Sequence, residues 1–295
     1  MFIKEGSGIV SCIRSSILWG IVTGVLAACA TPAERITSEA TSYGFTSQVI
    51  EGSEFKHRIY RNNHQGRTHG STLHVYLEGD GAPWINHERV ARDPTPRTPL
   101  MLRLMASDTA PSLYLGRPCY HGYSRTAPCS PGLWTDARYS EIVIASMTQV
   151  LDKLIEGGET ESLVFFGHSG GGALAMLLAE RFPGTRAVVT IAGNLDIDAW
   201  AGMHRYTKLH RSLNPANRKA LNPRIHQLHL VGEDDTNITP QLIQEVESRQ
   251  ENSELVIVTG FDHTCCWQEL WPEVLAWTAA LETSAQHVRK DFRLN

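Results

Sequence analysis

The stretch Leu163-Val164-Phe165-Phe166-Gly167-His168-Ser169-Gly170-Gly171 decides how this chain is read, together with the small-residue run from Gly172 to Arg181 that follows it. The apolar run reads as a strand and the small-residue run as a helix. Between them stands G-x-S-x-G. Strand, sharp turn, helix is the context that a nucleophile elbow requires. A turn that tight brings backbone close on both sides of the serine, and glycine tolerates such approach. The bland alternative is a Gly-rich turn with no chemistry, and the flanking pattern argues against it.

A serine hydroxyl is a poor nucleophile at neutral pH. It needs a base within hydrogen-bond reach, and the base needs an orienting acid. Downstream, His226 to Val231 reads as a strand followed by Gly232-Glu233-Asp234-Asp235, and Leu255 to Val258 as a strand followed by Gly260-Phe261-Asp262-His263. Both sets lie just past the C-terminal end of a strand, where open α/β sheets place their ligands. Position selects His263 as the base among 13 histidines. His168 adjoins the serine, but an elbow directs neighbouring side chains elsewhere, so its expected role is packing. Spacing from Gly232 favours Asp235 as the acid, with Asp234 its adjacent rival. Asp196 and Asp198 read instead as turn and helix-capping residues ahead of Trp200.

As a set these motifs resemble the α/β-hydrolase superfamily of serine hydrolases, from about residue 45 to 285. The family's G-x-x-D after the penultimate strand matches Gly232 to Asp235, and its histidine after the last strand matches His263. The resemblance implies an α/β-hydrolase fold: a mostly parallel central sheet, helices on both faces, and a small cap from residues 193 to 225. It implies a triad of Ser169, Asp235 and His263 that needs no cofactor or metal. The backbone N–H of Gly170 would be one oxyanion donor. The second would be the N–H of Asp80, in Glu78-Gly79-Asp80-Gly81 after the alternating strand Leu73 to Leu77. The family often has His-Gly-x there, so two carboxylates are a departure. A carboxylate beside a forming oxyanion opposes it unless turned away or hydrogen-bonded to the loop. The expected reaction is cleavage of a small-molecule or lipid ester, or a thioester, through an acyl-enzyme. A peptidase or amidase with the same triad, and a non-catalytic envelope binding protein on this scaffold, are the alternatives.

Lys4 and Arg14 precede an apolar stretch from Ile17 to Ala28, too short to span a bilayer but suited to a signal-peptide core. It ends Leu26-Ala27-Ala28-Cys29, which resembles a bacterial lipobox. That implies removal of residues 1–28, lipid attachment at Cys29, a tether over residues 29–44 and a hydrolase domain over residues 45–295. The protein would then face the periplasm of a bacterial cell envelope from a membrane anchor, with Ala30 favouring the outer membrane. The formal net charge of −4 and the absence of a basic cluster exclude nucleic acid as an expected partner. Oligomeric state has no signature in the sequence.

Past Cys29 remain Cys119, Cys129, Cys265 and Cys266, an even number in a chain read as exported, which favours disulfides. Cys119 with Cys129 would staple a Pro- and Gly-rich loop. Cys265 and Cys266 would pair with each other or reach that loop. The aromatics Trp84, Tyr120, Tyr123, Trp134 and Trp200 are candidates to rim a pocket or to pack beneath loops. Tyr139 to Ile155 reads as a helix whose stripe is Ile142, Val143, Met147, Val150, Leu151 and Leu154.

Overall fold

The computed structural model describes residues 30–62, 71–86, 88–156, 160–283 and 292. The expected signal segment, residues 1–28, and the lipid-attachment candidate Cys29 lie outside the described residues. Helix α1 (Pro32–Ser42) leads into the hairpin β1 (Thr46–Glu51) and β2 (Lys56–Arg61), then β3 (Ser71–Leu77). A two-stranded ribbon follows, β4 (Trp84–Ile85) with β5 (Arg89–Val90), and then α2 (Leu100–Met105) and β6 (Ser112–Leu115). The remaining elements alternate: α3 (Glu141–Ile155), β7 (Thr160–His168), α4 (Gly170–Ala179), β8 (Thr185–Ile191), α5 (Ile197–Met203), β9 (His226–Gly232), α6 (Pro240–Glu247), β10 (Ser253–Val258) and α7 (Trp267–Thr283).

Eight strands form one sheet in the order β1-β2-β6-β3-β7-β8-β9-β10. Among the described residues of this sheet, only β2 runs against its neighbours; every pair from β6 through β10 is parallel. Parallel strands are buried on both faces, so they are apolar runs rather than alternations. Accordingly Leu163 through Phe166 and Ala187 through Val189 are all almost fully buried. Strand order reverses beside β3, and the loops after β3, β7, β9 and β10 open on the same end of the sheet.

Helix α4 is buried over all ten residues and carries no charge. Gly171 and Gly172 set how closely it approaches the sheet. A β-carbon on Gly171 would land on the Leu77 carbonyl, and one on Gly172 would lie 2.7 Å from the Gly193 α-carbon. Helix α3 packs beside α4, with Val143, Ile144, Met147, Val150 and Leu151 buried. The predicted stripe is corrected at one turn: Ile142 is 42% exposed, and Ile144 points inward in its place. Residues 144, 147 and 151 share a face by the i, i+3, i+7 rule, which leaves 142 outside it.

The tether expected over residues 29–44 is also corrected. From Pro32 to Ser42 the chain is helical, starting at a capping box between Thr31 and Glu34. Ile36 and Ala40 are buried in the main core, Thr37 Oγ1 lies 2.9 Å from the Tyr60 hydroxyl, and Arg103 donates to Glu39. Burying one Ile side chain contributes about 2 kcal/mol, enough to dock a short amphipathic helix. Its composition of Thr, Ser, Ala and Glu resembles a linker, and two apolar residues decide otherwise.

Candidate active site

Ser169 sits between β7 and α4 with φ 53° and ψ −120°, a backbone conformation that L-residues rarely adopt. The surroundings impose it. The Ser169 N–H donates to the Ile191 carbonyl at 2.9 Å, while its own carbonyl accepts from Gly172 and Asn194 at 2.9 Å each. Gly167 has no room for a side chain, because a β-carbon there would strike the Gly171 carbonyl. The tight turn read from G-x-S-x-G is therefore present, with its serine half-buried at the strand end.

Three chain segments meet at this serine. His263, in the loop after β10, accepts at Nε2 from Ser169 Oγ at 3.1 Å. Its Nδ1 donates to Asp235 Oδ2 at 2.8 Å. Asp235, in the loop after β9, is fully buried, and its Oδ1 accepts from the backbone N–H groups of Asn237 (2.8 Å) and Ile238 (2.9 Å). The carboxylate is thus fixed from one side and open to the imidazole on the other. Asp234 is exposed, with its backbone N–H bonded to the Phe261 carbonyl. Asp196 caps α5, accepting from the N–H groups of Asp198 and Ala199, and takes a further bond from Asn214. The structure brings Ser169, His263 and Asp235 together and sets Asp234, Asp196 and Asp198 apart from the relay.

The loop after β3 lies against the elbow. A β-carbon on Gly79 would come within 3.5 Å of the Ser169 β-carbon, and one on Gly170 would fall on Asp80 Oδ1. Among the described residues, the backbone N–H groups of Gly170 and Asp80 have no protein acceptor. The Asp80 carboxylate is fully engaged. Arg117 donates to Oδ1 at 2.7 Å, Arg138 to Oδ2 at 2.6 Å, and the Tyr139 hydroxyl lies 2.7 Å from both oxygens. Tyr120 donates to the Asp80 carbonyl, and Arg117 to that of Glu78. Burial alone would raise the Asp80 carboxyl, but the Arg138 and Arg117 charges and the Tyr139 hydroxyl hold it at about 2. The two carboxylates of Glu78-Gly79-Asp80 are thereby accounted for. Asp80 serves as an anionic anchor with its charge matched by two buried guanidinium groups, and its backbone remains available to the site. Glu78 is likewise turned inward, accepting from the Gly79 and Met101 N–H groups.

Sequence reading missed Arg117, Arg138 and Tyr139, which are scattered along the chain and carry no motif. It also missed Asn237, two residues past Asp235. The Asn237 side chain donates from Nδ2 to His263 Nε2 at 3.1 Å. His168 has more than a packing role: its Nε2 donates to the His263 carbonyl at 2.9 Å, and the two rings lie 4.9 Å apart.

The aromatics divide. Tyr120 and Trp134 are buried with Phe55 and Cys119 in a satellite core, so they pack beneath the loop. Tyr123 bonds to Arg58. Trp84 is 42% exposed on the ribbon after the Asp80 loop. Trp200 on α5 stands over Asn237, donating from Nε1 to Oδ1 at 3.2 Å, and contacts His204 and Tyr206. Cys119 and Cys129 form a disulfide, and so do the adjacent Cys265 and Cys266, which begin two residues past His263.

Residues 120–190, from the disulfide loop through the elbow to β8, match the class 3 lipase family. No curated protein sequence matches the chain. Among solved structures, a Pyrococcus furiosus esterase superposes with TM-score 0.57 at 13% identity, covering 82% of this chain and 92% of its own. A membrane phospholipase A, described as a bacterial virulence factor, superposes with TM-score 0.54 at 13% identity, covering 86% and 92%. A puromycin hydrolase gives 0.54 at 15% identity, over 81% of this chain and 39% of that larger one. The chain has the lipase- and esterase-like α/β-hydrolase fold expected from its motifs.

Proposed function

We propose that this α/β-hydrolase superfamily hydrolase cleaves carboxylic esters or thioesters through a covalent acyl-enzyme, with Ser169 as nucleophile, His263 as base and Asp235 as orienting acid. One observation carries this reading: a continuous relay from Ser169 Oγ through both nitrogens of His263 to a buried carboxylate. The hydroxyl proton passes to Nε2 as Oγ attacks the carbonyl carbon. The imidazolium is stabilised by Asp235, which keeps its own charge. The tetrahedral oxyanion is received by the backbone N–H groups of Gly170 and Asp80. Fixed donors of this kind are worth ~3 kcal/mol each because they need no reorganisation. Collapse expels the alcohol or thiol, which takes the proton from Nε2, and water repeats the sequence to release the acid and restore the serine.

Support for an ester, as against an amide, comes from the match to class 3 lipases and from neighbours named as an esterase and a phospholipase A. The lipobox-like Leu26-Ala27-Ala28-Cys29 supports anchoring through acylated Cys29 on the periplasmic side of a bacterial envelope membrane, which would present the site to lipid esters. Fluorophosphonate labelling of the purified protein, followed by p-nitrophenyl ester and p-nitroanilide panels, tests the chemistry. Labelling at Ser169 with ester turnover is expected. Absence of labelling would refute the serine mechanism, and turnover of anilides alone would move the protein to the amidases. Radiolabelled palmitate incorporation that is lost in Cys29→Ser tests the anchor.

A further inference from the structure

We infer that Asn237 is a catalytic residue: its side-chain amide forms, with His263 Nε2, the subsite that receives the leaving-group oxygen and then the hydrolytic water. The inference rests on the proposed acyl-enzyme reaction and assigns a new group to it.

All four polar groups of Asn237 are occupied. Its N–H donates to Asp235 Oδ1 at 2.8 Å, and its carbonyl accepts from His204 Nε2 at 2.9 Å. Its Oδ1 accepts from Trp200 Nε1 at 3.2 Å, and Nδ2 donates to His263 Nε2 at 3.1 Å. An indole N–H only donates, so the Trp200 contact fixes which end of the amide faces the histidine. In the free enzyme the Nε2 lone pair therefore receives two donors, the Ser169 hydroxyl and the Asn237 amide. Once Ser169 has passed its proton to Nε2, that nitrogen is a donor and can no longer accept. The Asn237 N–H is then released beside the new Nε2–H. The place between them suits an oxygen that takes a hydrogen bond from the amide and a proton from the imidazolium. In acylation that oxygen is the leaving group's: the acyl C–O bond breaks, its electron pair stays on oxygen, and the Nε2 proton joins it. In deacylation a water oxygen accepts from Nδ2, gives its proton to Nε2 and attacks the acyl carbon, and the proton then returns to Ser169 Oγ.

The test is the dependence of rate on leaving-group basicity in Asn237→Ala. A p-nitrophenolate leaves without needing a proton, whereas an alkoxide needs one. The expected result is normal fluorophosphonate labelling of Ser169, a loss of ten- to a hundredfold in kcat/KM for alkyl esters, and a loss under threefold for p-nitrophenyl esters. Deacylation should slow, seen as a larger p-nitrophenol burst. Trp200→Phe, which frees the amide from its anchor and leaves Asn237 in place, should repeat the pattern more weakly. Equal losses for alkyl and aryl esters in both variants, or an unchanged burst, would overturn the assignment. Loss of labelling in the wild-type protein would instead defeat the serine mechanism on which it rests.

Discussion

Gly232 and Phe261 meet backbone to backbone: a β-carbon on Gly232 would fall on the Phe261 carbonyl oxygen. Gly232 ends the strand whose loop carries Asp235, and Phe261 precedes His263 by two residues. The loops that carry Asp235 and His263, the proposed acid and base, are therefore set in register by the close approach of Gly232 to the Phe261 backbone. Gly232→Ala must push the loops apart, and an active-site displacement near 1 Å costs on the order of a hundredfold in rate. The expected outcome is a fall of that size in kcat/KM, measured on an aryl ester, with a folded protein by circular dichroism.

Asp235→Asn and Asp234→Asn separate the two adjacent carboxyls. The first places an amide against His263 Nδ1 and disrupts the tautomer that leaves Nε2 able to accept, so kcat should drop by about 10⁴. The second alters an exposed side chain and should leave kcat within about twofold. Steady-state kinetics at neutral pH reads both. A greater loss from Asp234→Asn would transfer the role.

The Asp80 anchor combines stability with rate. Arg138→Met removes one of two buried cations from a carboxylate that is mostly enclosed. Breaking a buried pair costs ~3–5 kcal/mol, so the urea midpoint should fall clearly. Because the Asp80 N–H is the proposed oxyanion donor, kcat should fall more than KM rises, by up to about a hundredfold.

Three buried histidines give the fold an acid limit. Burial lowers His57 to about 4, with the Gly116 carbonyl opposing; it lowers His121 to about 3, reinforced by Arg58 and His57; and it lowers His229 to about 4. Their ordinary value is 6.5. Between that value and the lowered ones the unfolded chain binds more protons than the folded one, so stability rises with pH across the window. It is fully present above pH 6.5 and is lost as pH falls toward 4. Urea midpoints from pH 7 down to 4.5 should decline. His229→Leu should flatten the slope, since it removes one of the groups that take up a proton only on unfolding.

Removing the Cys119–Cys129 bridge with Cys119→Ser/Cys129→Ser frees a loop of 10 residues' separation. Chain-entropy arguments assign such a loop ~2–3 kcal/mol. Thermal unfolding should shift down accordingly, and aryl-ester turnover at 25 °C should persist, since the bridge packs with Phe55, Tyr120 and Trp134 in the satellite core.

The parallel sheet was legible because buried parallel strands are continuous apolar runs. The elbow was legible because its geometry demands glycine at fixed spacing. Asp235 and His263 followed from their places at strand ends. The Asp80 anchor was not legible: Arg117, Arg138 and Tyr139 converge only after β6, α3 and the loop between them are packed, and an arginine announces no partner in sequence. Asn237 was hidden for the opposite reason. It sits in a turn where asparagine is ordinary, and its distinction comes from Trp200, 37 residues away. Helix α1 was misread because its polar face outnumbers the two residues that dock it.

That helix has a consequence for how the protein meets its surroundings. It starts at Pro32, directly behind the Thr31 cap, and is fastened to the sheet through Tyr60. Under the proposed acylation at Cys29, only two residues, Ala30 and Thr31, lie between the acylated cysteine and the docked helix, ~10 Å of chain. The domain would then ride against the bilayer with little freedom to reorient.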